Sequence, residues 1–381
     1  MKISLCLDAS YLLYKSVFVL KKMKSLKDLP DLLNNDLNKI IKSFPYCDVY
    51  FCSDSKDGNW RKQIYKEYKG TREKDESIDW EFVYKTFDNF KETVKKRKNI
   101  KFLELPGLEG DDLMAYAIKQ GNKKGNSFII ISSDGDLQQL LKYDLNEKWI
   151  NIQWNYKFND QKVYLPNNYQ LIIEKLANSV NENIFELDNS TEFVKFIDDL
   201  ISRTKSKGVS YEEISLTKIV WGDKGDNIPS CAKVKDGKLD SDGRGIGKDG
   251  AATVYGLYKE IHPEPIDLDS DEFISNLTDV IIYYKKIKDN TAKDKIIEQL
   301  KFNRRLIFLD PKYMPKTTFD NMKKYYDSVE NRIIEHEIID WETKLEEDDF
   351  FNEPEEKDLI PEQFSLQTDG EEFDPDSFWE L

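Results

Sequence analysis

Residues 128–136 read Phe128-Ile129-Ile130-Ile131-Ser132-Ser133-Asp134-Gly135-Asp136: four bulky apolar residues, two serines, then two carboxylates flanking a glycine. A short, mostly β-branched apolar run predicts a strand over Phe128–Ser132, buried on both faces. The acids then fall at its carboxyl end. Working outward, the arrangement recurs three times. Ile3–Leu7 leads to Asp8, Val49–Cys52 to Asp54, and Ile100–Leu105 to Glu109, Asp111 and Asp112. Between these runs lie amphipathic stretches such as Leu29–Phe44 and Asp112–Lys119, so strands and helices alternate, as in an α/β domain. Trp149–Trp154 and Val163–Leu165 are expected to close the sheet as a hairpin.

In an open parallel sheet, ligands bind outside the carboxyl ends of the strands. Four strand ends would then aim seven carboxylates into one crevice. Each acid alone has a plainer reading. Asp134-Gly135-Asp136 suits a turn and a capped helix over Leu137–Lys142, and Glu109-Gly110-Asp111-Asp112 suits a helix N-terminus. Together they repel one another unless cations offset them, and all-oxygen donors select Mg²⁺ or Mn²⁺. A further pair, Asp223 and Asp226, stands in Trp221-Gly222-Asp223-Lys224-Gly225-Asp226-Asn227-Ile228-Pro229 and is placed to fold back and complete the site.

The charge is unevenly spread. Residues 341–381 carry 16 acidic residues against two lysines, a net −14 of the chain's −15, so the rest of the 381 residues is close to neutral. Residues 56–101 hold 14 Lys/Arg against nine Asp/Glu, a basic stretch beside the acids. Two histidines and four cysteines (Cys6, Cys47, Cys52, Cys231) without paired ligand spacing argue against a His-based zinc site or a Ser-His-Asp triad. No apolar run reaches the ~18 residues that span a bilayer, and Asp8 interrupts the N-terminal run too early for a signal peptide. A cytoplasmic protein with no membrane partner is expected. From Asn168 onward the periodicity is helical, over Leu171–Leu176, Phe193–Ile201, Tyr211–Val220, Ala251–Ile261, Phe273–Lys288 and Lys293–Arg305. After Trp341 the prolines and acids predict disorder.

The ordered set Asp8, Asp54, Glu109-x-Asp111-Asp112, Ser133-Asp134-Gly135-Asp136 and Gly222-Asp223-x-x-Asp226-Asn227-Ile228-Pro229 resembles the flap endonuclease/5′→3′ exonuclease family. Trp60-Arg61-Lys62-Gln63-Ile64-Tyr65-Lys66-Glu67-Tyr68-Lys69-Gly70-Thr71-Arg72 resembles its basic segment leading into a helical arch. Gly243-Arg244-Gly245-Ile246-Gly247-Lys248 resembles its duplex-binding H3TH loop, and Asn303–Asp310 with Tyr313-Met314-Pro315 is similar to the ribonuclease H of T-even phages. The match covers about residues 1–325. About a dozen extra residues precede Gly243, residues 168–210 look longer than the usual connection, and the acidic tail has no counterpart.

The resemblance implies a central, mostly parallel sheet flanked by helices (5′-nuclease/PIN-like), with a helical arch and a C-terminal helical H3TH subdomain. Expected boundaries are 1–167 for the α/β nuclease domain including the arch at about 56–101, 168–340 for the helical DNA-binding part, and 341–381 for the tail. Asp8, Asp54, Glu109 and Asp111 would hold one Mg²⁺ or Mn²⁺, and Asp134, Asp136, Asp223 and Asp226 a second, with Asp112 between them. Lys69 and Arg72 would stabilise charge on the phosphate. Arg61, Lys62 and Lys66 would face DNA, and Tyr65, Tyr68, Trp80, Phe82, Tyr84 and Phe87 interleave with lysines in a pattern that suits base stacking, although for any single one of them inward packing of a helix pair is the plainer reading. Gly243, Gly245, Gly247 and Lys248 would hold a duplex phosphate, with a K⁺ ion at that loop. The implied reaction is hydrolysis near 5′ ends of flap, nicked or RNA-primed duplexes, for primer removal in phage-type replication, by a monomer. A non-catalytic DNA-junction binder of the same fold is the alternative. The tail's aromatics, among them Phe350, Phe351, Phe378 and Trp379, suit docking onto a sliding clamp or single-strand-binding protein.

Overall fold

A computed structural model gives the fold, described here for residues 2–44, 47–155, 161–181, 197, 200–202, 204–289 and 291–331. The expected helix over Phe193–Ile201 falls largely outside these residues, and the tail 341–381 wholly so. The central sheet runs β3-β2-β1-β4-β6-β7-β8, where β1 is Lys2–Asp8, β2 Asp48–Cys52, β3 Ile100–Leu103, β4 Asn126–Ile131, β6 Trp149–Asn155, β7 Lys162–Pro166 and β8 Lys205–Val209. A two-residue strand, β5 (Tyr143–Asp144), pairs with β6. The β3-β2-β1-β4-β6 block is parallel throughout, whereas β5 and β7 both run antiparallel to β6, the latter as the expected hairpin.

Alternate residues of each central strand serve opposite faces. Leu5, Leu7, Val49, Phe51, Ile129 and Ile131 pack under α1 (Ala9–Met23), α2 (Leu29–Ser43) and the helix Trp80–Lys95. Cys6, Tyr50, Cys52, Phe128 and Ile130 pack on the other side, against α5 (Gly110–Asn122). Both faces being buried explains why the strands read as continuous apolar runs.

Three expectations are corrected. The basic stretch 56–101 is not one arching element. Its first part forms α3 (Trp60–Ile64) and a run of turns, whereas Trp80–Lys95 is α4, an amphipathic helix that sinks Val83, Phe87, Phe90 and Val94 into the sheet's core. The α/β layer does not end at 167 either, because β8 adds a parallel edge strand to β7. Finally, the last described helix returns to the sheet. Following α6 (Tyr169–Asn181), α7 (Tyr211–Trp221), a hairpin of β9 (Val234–Lys235) and β10 (Lys238–Leu239), α8 (Lys248–Ile261), α9 (Asp271–Lys285) and α10 (Ala292–Ile307), helix α11 (Lys316–Glu330) places Met322, Tyr326 and Val329 beside Tyr50 and Phe128. Its Glu330 is clamped by buried Lys101 at 2.9 Å and by Tyr50 at 2.8 Å. The helices α7–α10 carry a separate core. Among the described residues no helix is long and apolar enough to cross a membrane.

Candidate metal centre

Strand order reverses between β1 and β4, and the crevice above that point collects the acids. Asp8 ends β1 and caps α1, accepting from the Ser10 and Tyr11 amides at 2.9 and 3.1 Å, while its other oxygen accepts from Ser132 Oγ at 2.8 Å. Asp54, two residues past β2, accepts from the Gly110 amide at 2.6 Å and from Ser10 Oγ at 2.9 Å, which ties the β2 loop to the start of α5. Asp134 caps the 3₁₀ turn Gly135–Leu140, the observed form of the helix expected over Leu137–Lys142.

At the N-terminus of α5, Glu109, Asp111 and Asp112 offer carboxylate oxygens within 4.8 Å of one another. Their environments differ sharply. Asp112 is fully engaged: one oxygen faces Arg61 Nη2 at 2.8 Å, and the other accepts from Arg61 Nη1 and Trp60 Nε1, both at 3.0 Å. It is 1% exposed, and so is Arg61. Arg61 is therefore not a DNA-facing side chain, and Asp112 serves as its counter-charge within the acidic group. Glu109 is shared among Arg61, Tyr68 and Lys69. Burial alone would raise its pKa, but Lys69 and Arg61 hold it below the usual carboxylate range. For Asp111 the same two cations are outweighed. Its buried Oδ1 has no hydrogen-bond partner, and burial with Glu109 and Asp112 alongside pushes its pKa well up.

The second set lies opposite. Gly222 adopts a φ of 84°, and a Cβ there would meet Ile228 O at 2.3 Å, so only glycine lets the chain double back. The resulting turn exchanges Asp223 and Ile228 backbone hydrogen bonds at 2.9 and 2.7 Å, and Asn303 pins it through Ile219 O and Pro229 O. Asp223 and Asp226 thereby face the sheet. Among the described residues this set does not close to the spacing of the first group. Instead Lys218 of α7 bridges Asp136 and Asp223. No motif marks Lys218 in the sequence; only its place on α7, one turn before the acids, would have found it.

All these carboxylates share one field. Burial and Asp54 push Asp8 up to about 6, and burial with Asp136 pushes Asp134 up to about 7. Asp136 is raised by burial, with Lys218 opposing and Asp223 and Asp226 adding to the effect. Asp226 is lowered against its burial by Lys69 and Arg72.

The basic segment Trp60–Arg72 is folded down onto the Asp223–Pro229 turn. Tyr65 OH donates to Asn227 O, the Lys69 amide to Asp226 O, Asn227 Nδ2 to Glu67 O, and Arg72 Nε to Gly225 O, each at 3.0 Å. Lys69 pairs with Glu109 and Arg72 with Asp226, so both point into the acidic crevice. Lys62 and Lys66 are exposed. The segment's aromatics are used for packing: Tyr65 packs edge-on against Phe302, buried Tyr68 donates to Glu109 and Asp226, Trp80 stacks on Tyr84, and Phe82 and Phe87 join the core. These contacts follow the plainer reading of each aromatic, inward packing, rather than base stacking.

In the loop before α8, the expected helix start at Ala251 moves to Lys248, with Gly247 as an exposed cap that brings no side chain to the first-turn amides. Gly243 serves packing instead, because a Cβ there would lie 2.6 Å from the Val234 backbone. Gly245 packs near Ser230, and Lys248 lies over the Trp221 ring.

Residues 4–168 match the model of the 5′-3′ exonuclease N-terminal, resolvase-like domain. The chain is 29% identical over 126 residues to the ribonuclease H of Enterobacteria phage T4, covering 30% of this chain and 41% of that one. It therefore spans less than half of that relative's length. A 5′-3′ exonuclease of Mycoplasmopsis pulmonis is 24% identical over 357 residues, 91% of this chain and 96% of its own. Among solved structures, a phage T5 protein co-crystallised with metal ions superposes with a TM-score of 0.51 at 16% identity, over 86% of this chain and 98% of the other. A T5 flap endonuclease pseudo-enzyme–product complex with DNA and metal ions gives 0.51 at 17%, over 86% and 99%. Both structures support the fold.

Proposed function

Because the chain belongs to the flap endonuclease/5′→3′ exonuclease family, we propose that it is a metal-dependent nuclease cutting phosphodiesters near the 5′ ends of flap, nicked or RNA-primed duplexes, and that it removes primers during replication. The observation that carries this reading is Asp111 Oδ1, a buried carboxylate oxygen without a partner among acids that repel it. A divalent cation is the group that such a site fits: the donors are all hard oxygens, and the charge needs an offset. Asp8, Asp54, Glu109 and Asp111 would hold one Mg²⁺ or Mn²⁺. Asp134, Asp136, Asp223 and Asp226 would hold a second in competition with the Lys218 ammonium. Bound there, the ions would supply an activated water and neutralise the leaving oxygen.

The chain's own residues do the rest. Lys69 and Arg72, held at the crevice by Glu109 and Asp226, are positioned to hand their charge to a phosphate that displaces those pairs. Ser10 and Ser132 orient Asp54 and Asp8. Lys62 and Lys66 lie exposed for backbone contact, and the Gly247 end of α8 offers its first-turn amides to a duplex phosphate, with K⁺ as a further occupant of that loop. Contacts of this kind ignore base identity, so selection is for structure.

The test is cleavage of 5′-flap, nicked and RNA-primed duplexes with Mg²⁺ or Mn²⁺ by wild type and Asp134→Asn. Shortened products from wild type and none from the variant support the reading. A wild type that shifts the duplex in a gel without shortening it, under every metal tried, is a junction binder and not a nuclease.

A further inference from the structure

The hairpin β9–β10 turns through Asp236-Gly237, both at positive φ (52° and 76°), the backbone of a two-residue type I′ loop. That loop fixes the register: Val234 opposes Leu239, and Lys235 directly opposes Lys238. Val234 and Leu239 pack onto the helical core, so the two exposed lysines share the outward face. Like charges directly across a hairpin destabilise it. The cost is not avoided by looseness, because the hairpin is braced. Gly237 O accepts from the Lys288 amide at 3.0 Å, and Val234 and Arg244 exchange two hydrogen bonds at 3.1 Å.

The surroundings add to the charge. Lys233, Arg244, Lys286 and Lys288 are exposed, and among the described residues none of them, nor Lys235 or Lys238, forms an ion pair with a carboxylate. Several other surface lysines do have an acidic partner, as in Lys119–Asp310, Lys124–Glu330 and Lys293–Asp279. Of the acids on and beside the hairpin, Asp236 stands exposed in the turn itself, Asp240 accepts from the Asp242 amide at 2.7 Å, and Asp289, which also feels the Lys238 charge, accepts from the Thr291 amide at 2.9 Å. Arg244 connects the hairpin to the Gly247 end of α8 with no break in the chain.

We propose that the β9–β10 hairpin is a second duplex-binding element, a rigid wing whose Lys235–Lys238 pair straddles a backbone phosphate beyond the one met by the α8 N-terminus. This rests on the nuclease reading above and deepens it. A phosphate between the two ammonium groups removes their mutual repulsion, and displaced counterions add a salt-dependent gain. The wing lengthens the duplex that the protein grips behind the cut, so it favours substrates with a longer intact stem.

The test uses the full chain, a labelled 5′-flap with a long stem, and the Lys235→Gln/Lys238→Gln double variant. Two lost phosphate contacts lower the slope of log K against log salt by about 2 and weaken binding by roughly tenfold near 0.1 M salt. The loss appears in KM and shrinks on a flap whose stem is too short to reach the hairpin. If wild type cuts the flap and the variant keeps the same affinity, KM and salt slope, the wing is wrong while the nuclease reading stands. If wild type cuts nothing under any divalent metal, the nuclease reading itself fails.

Discussion

Arg61 and Asp112 meet end to end, two guanidinium nitrogens on two carboxylate oxygens at 2.8 and 3.0 Å, both side chains 1% exposed. Arg61 Nε also donates to Leu306 O at 2.8 Å, so one side chain joins the basic segment, α5 and the end of α10. A planar fork can satisfy this geometry and a lysine cannot. Removing it strands a buried carboxylate. Arg61→Ala is expected to cost roughly 3–5 kcal/mol, read as a lower urea midpoint. Replacing both partners, Arg61→Met with Asp112→Leu, recovers much of the loss, since no charge is left unpaired. The salt slope of DNA binding should not move. Unchanged stability with a slope reduced by about 1 would return Arg61 to the DNA-facing set.

Asp111 responds in the opposite sense. Burial beside Glu109 and Asp112 outweighs the pull of Arg61 and Lys69 on its charge, so Asp111→Asn should raise the melting temperature in EDTA. The same change should lower metal-dependent cleavage by about 100-fold or more, because even indirect disturbances of metal sites cost 10–100-fold. A thermal melt in EDTA and a flap assay on the same sample check both halves. A variant that is less stable in EDTA and still cuts well would remove Asp111 from the centre.

How much of this was legible follows from what each feature depends on. The strand ends bearing Asp8, Asp54, Glu109 and Asp134 could be read because buried parallel strands write themselves as apolar runs, and the acids lie within a few residues of them. Strand β8 could not. Lys205-Ser206-Lys207-Gly208-Val209 has no strand-like face, and it is held by the edge of β7. Charge and family resemblance mark the basic segment as DNA-facing, but neither reveals that Arg61 has a partner 51 residues away. The amphipathic pattern of Trp80–Lys95 is present but masked by its charged residues, one of which, Lys91, is itself buried alongside Val83, Phe90 and Val94.

The pH dependence of the metal-free protein follows from Asp8 and Asp134. Both carboxyls titrate above their unfolded values, near 6 and 7 against 3.8. Between those limits the native state binds more protons than the unfolded chain, so stability must fall as pH rises through that window. Glu109 and Asp226 are shifted down, so their contribution is lost only on acidification below about pH 4. In EDTA the melting temperature should drop by roughly 5 °C from pH 5 to pH 8. Mg²⁺ should restore it most at pH 8, where the acids are already ionised. A melting temperature in EDTA that rises over this range would contradict the crowding of these carboxylates.

Lys218 provides the sharpest test of the second cation position. Its ammonium bridges Asp136 and Asp223, and those two acids hold it charged despite its burial. It therefore occupies the charge balance that a divalent ion would otherwise meet. Lys218→Gln removes the competitor and leaves Asp136 and Asp223 repelling each other. Two consequences follow together: lower stability in EDTA, and a several-fold lower Mg²⁺ or Mn²⁺ concentration for half-maximal cleavage of a 5′-flap, since a gain of ~1 kcal/mol is about fivefold in affinity. A metal titration monitored by cleavage, paired with melts in EDTA and in excess metal, reads both. If the variant needs more metal than wild type, Lys218 is not a competitor at this position, and its amine acts instead on the bound phosphate.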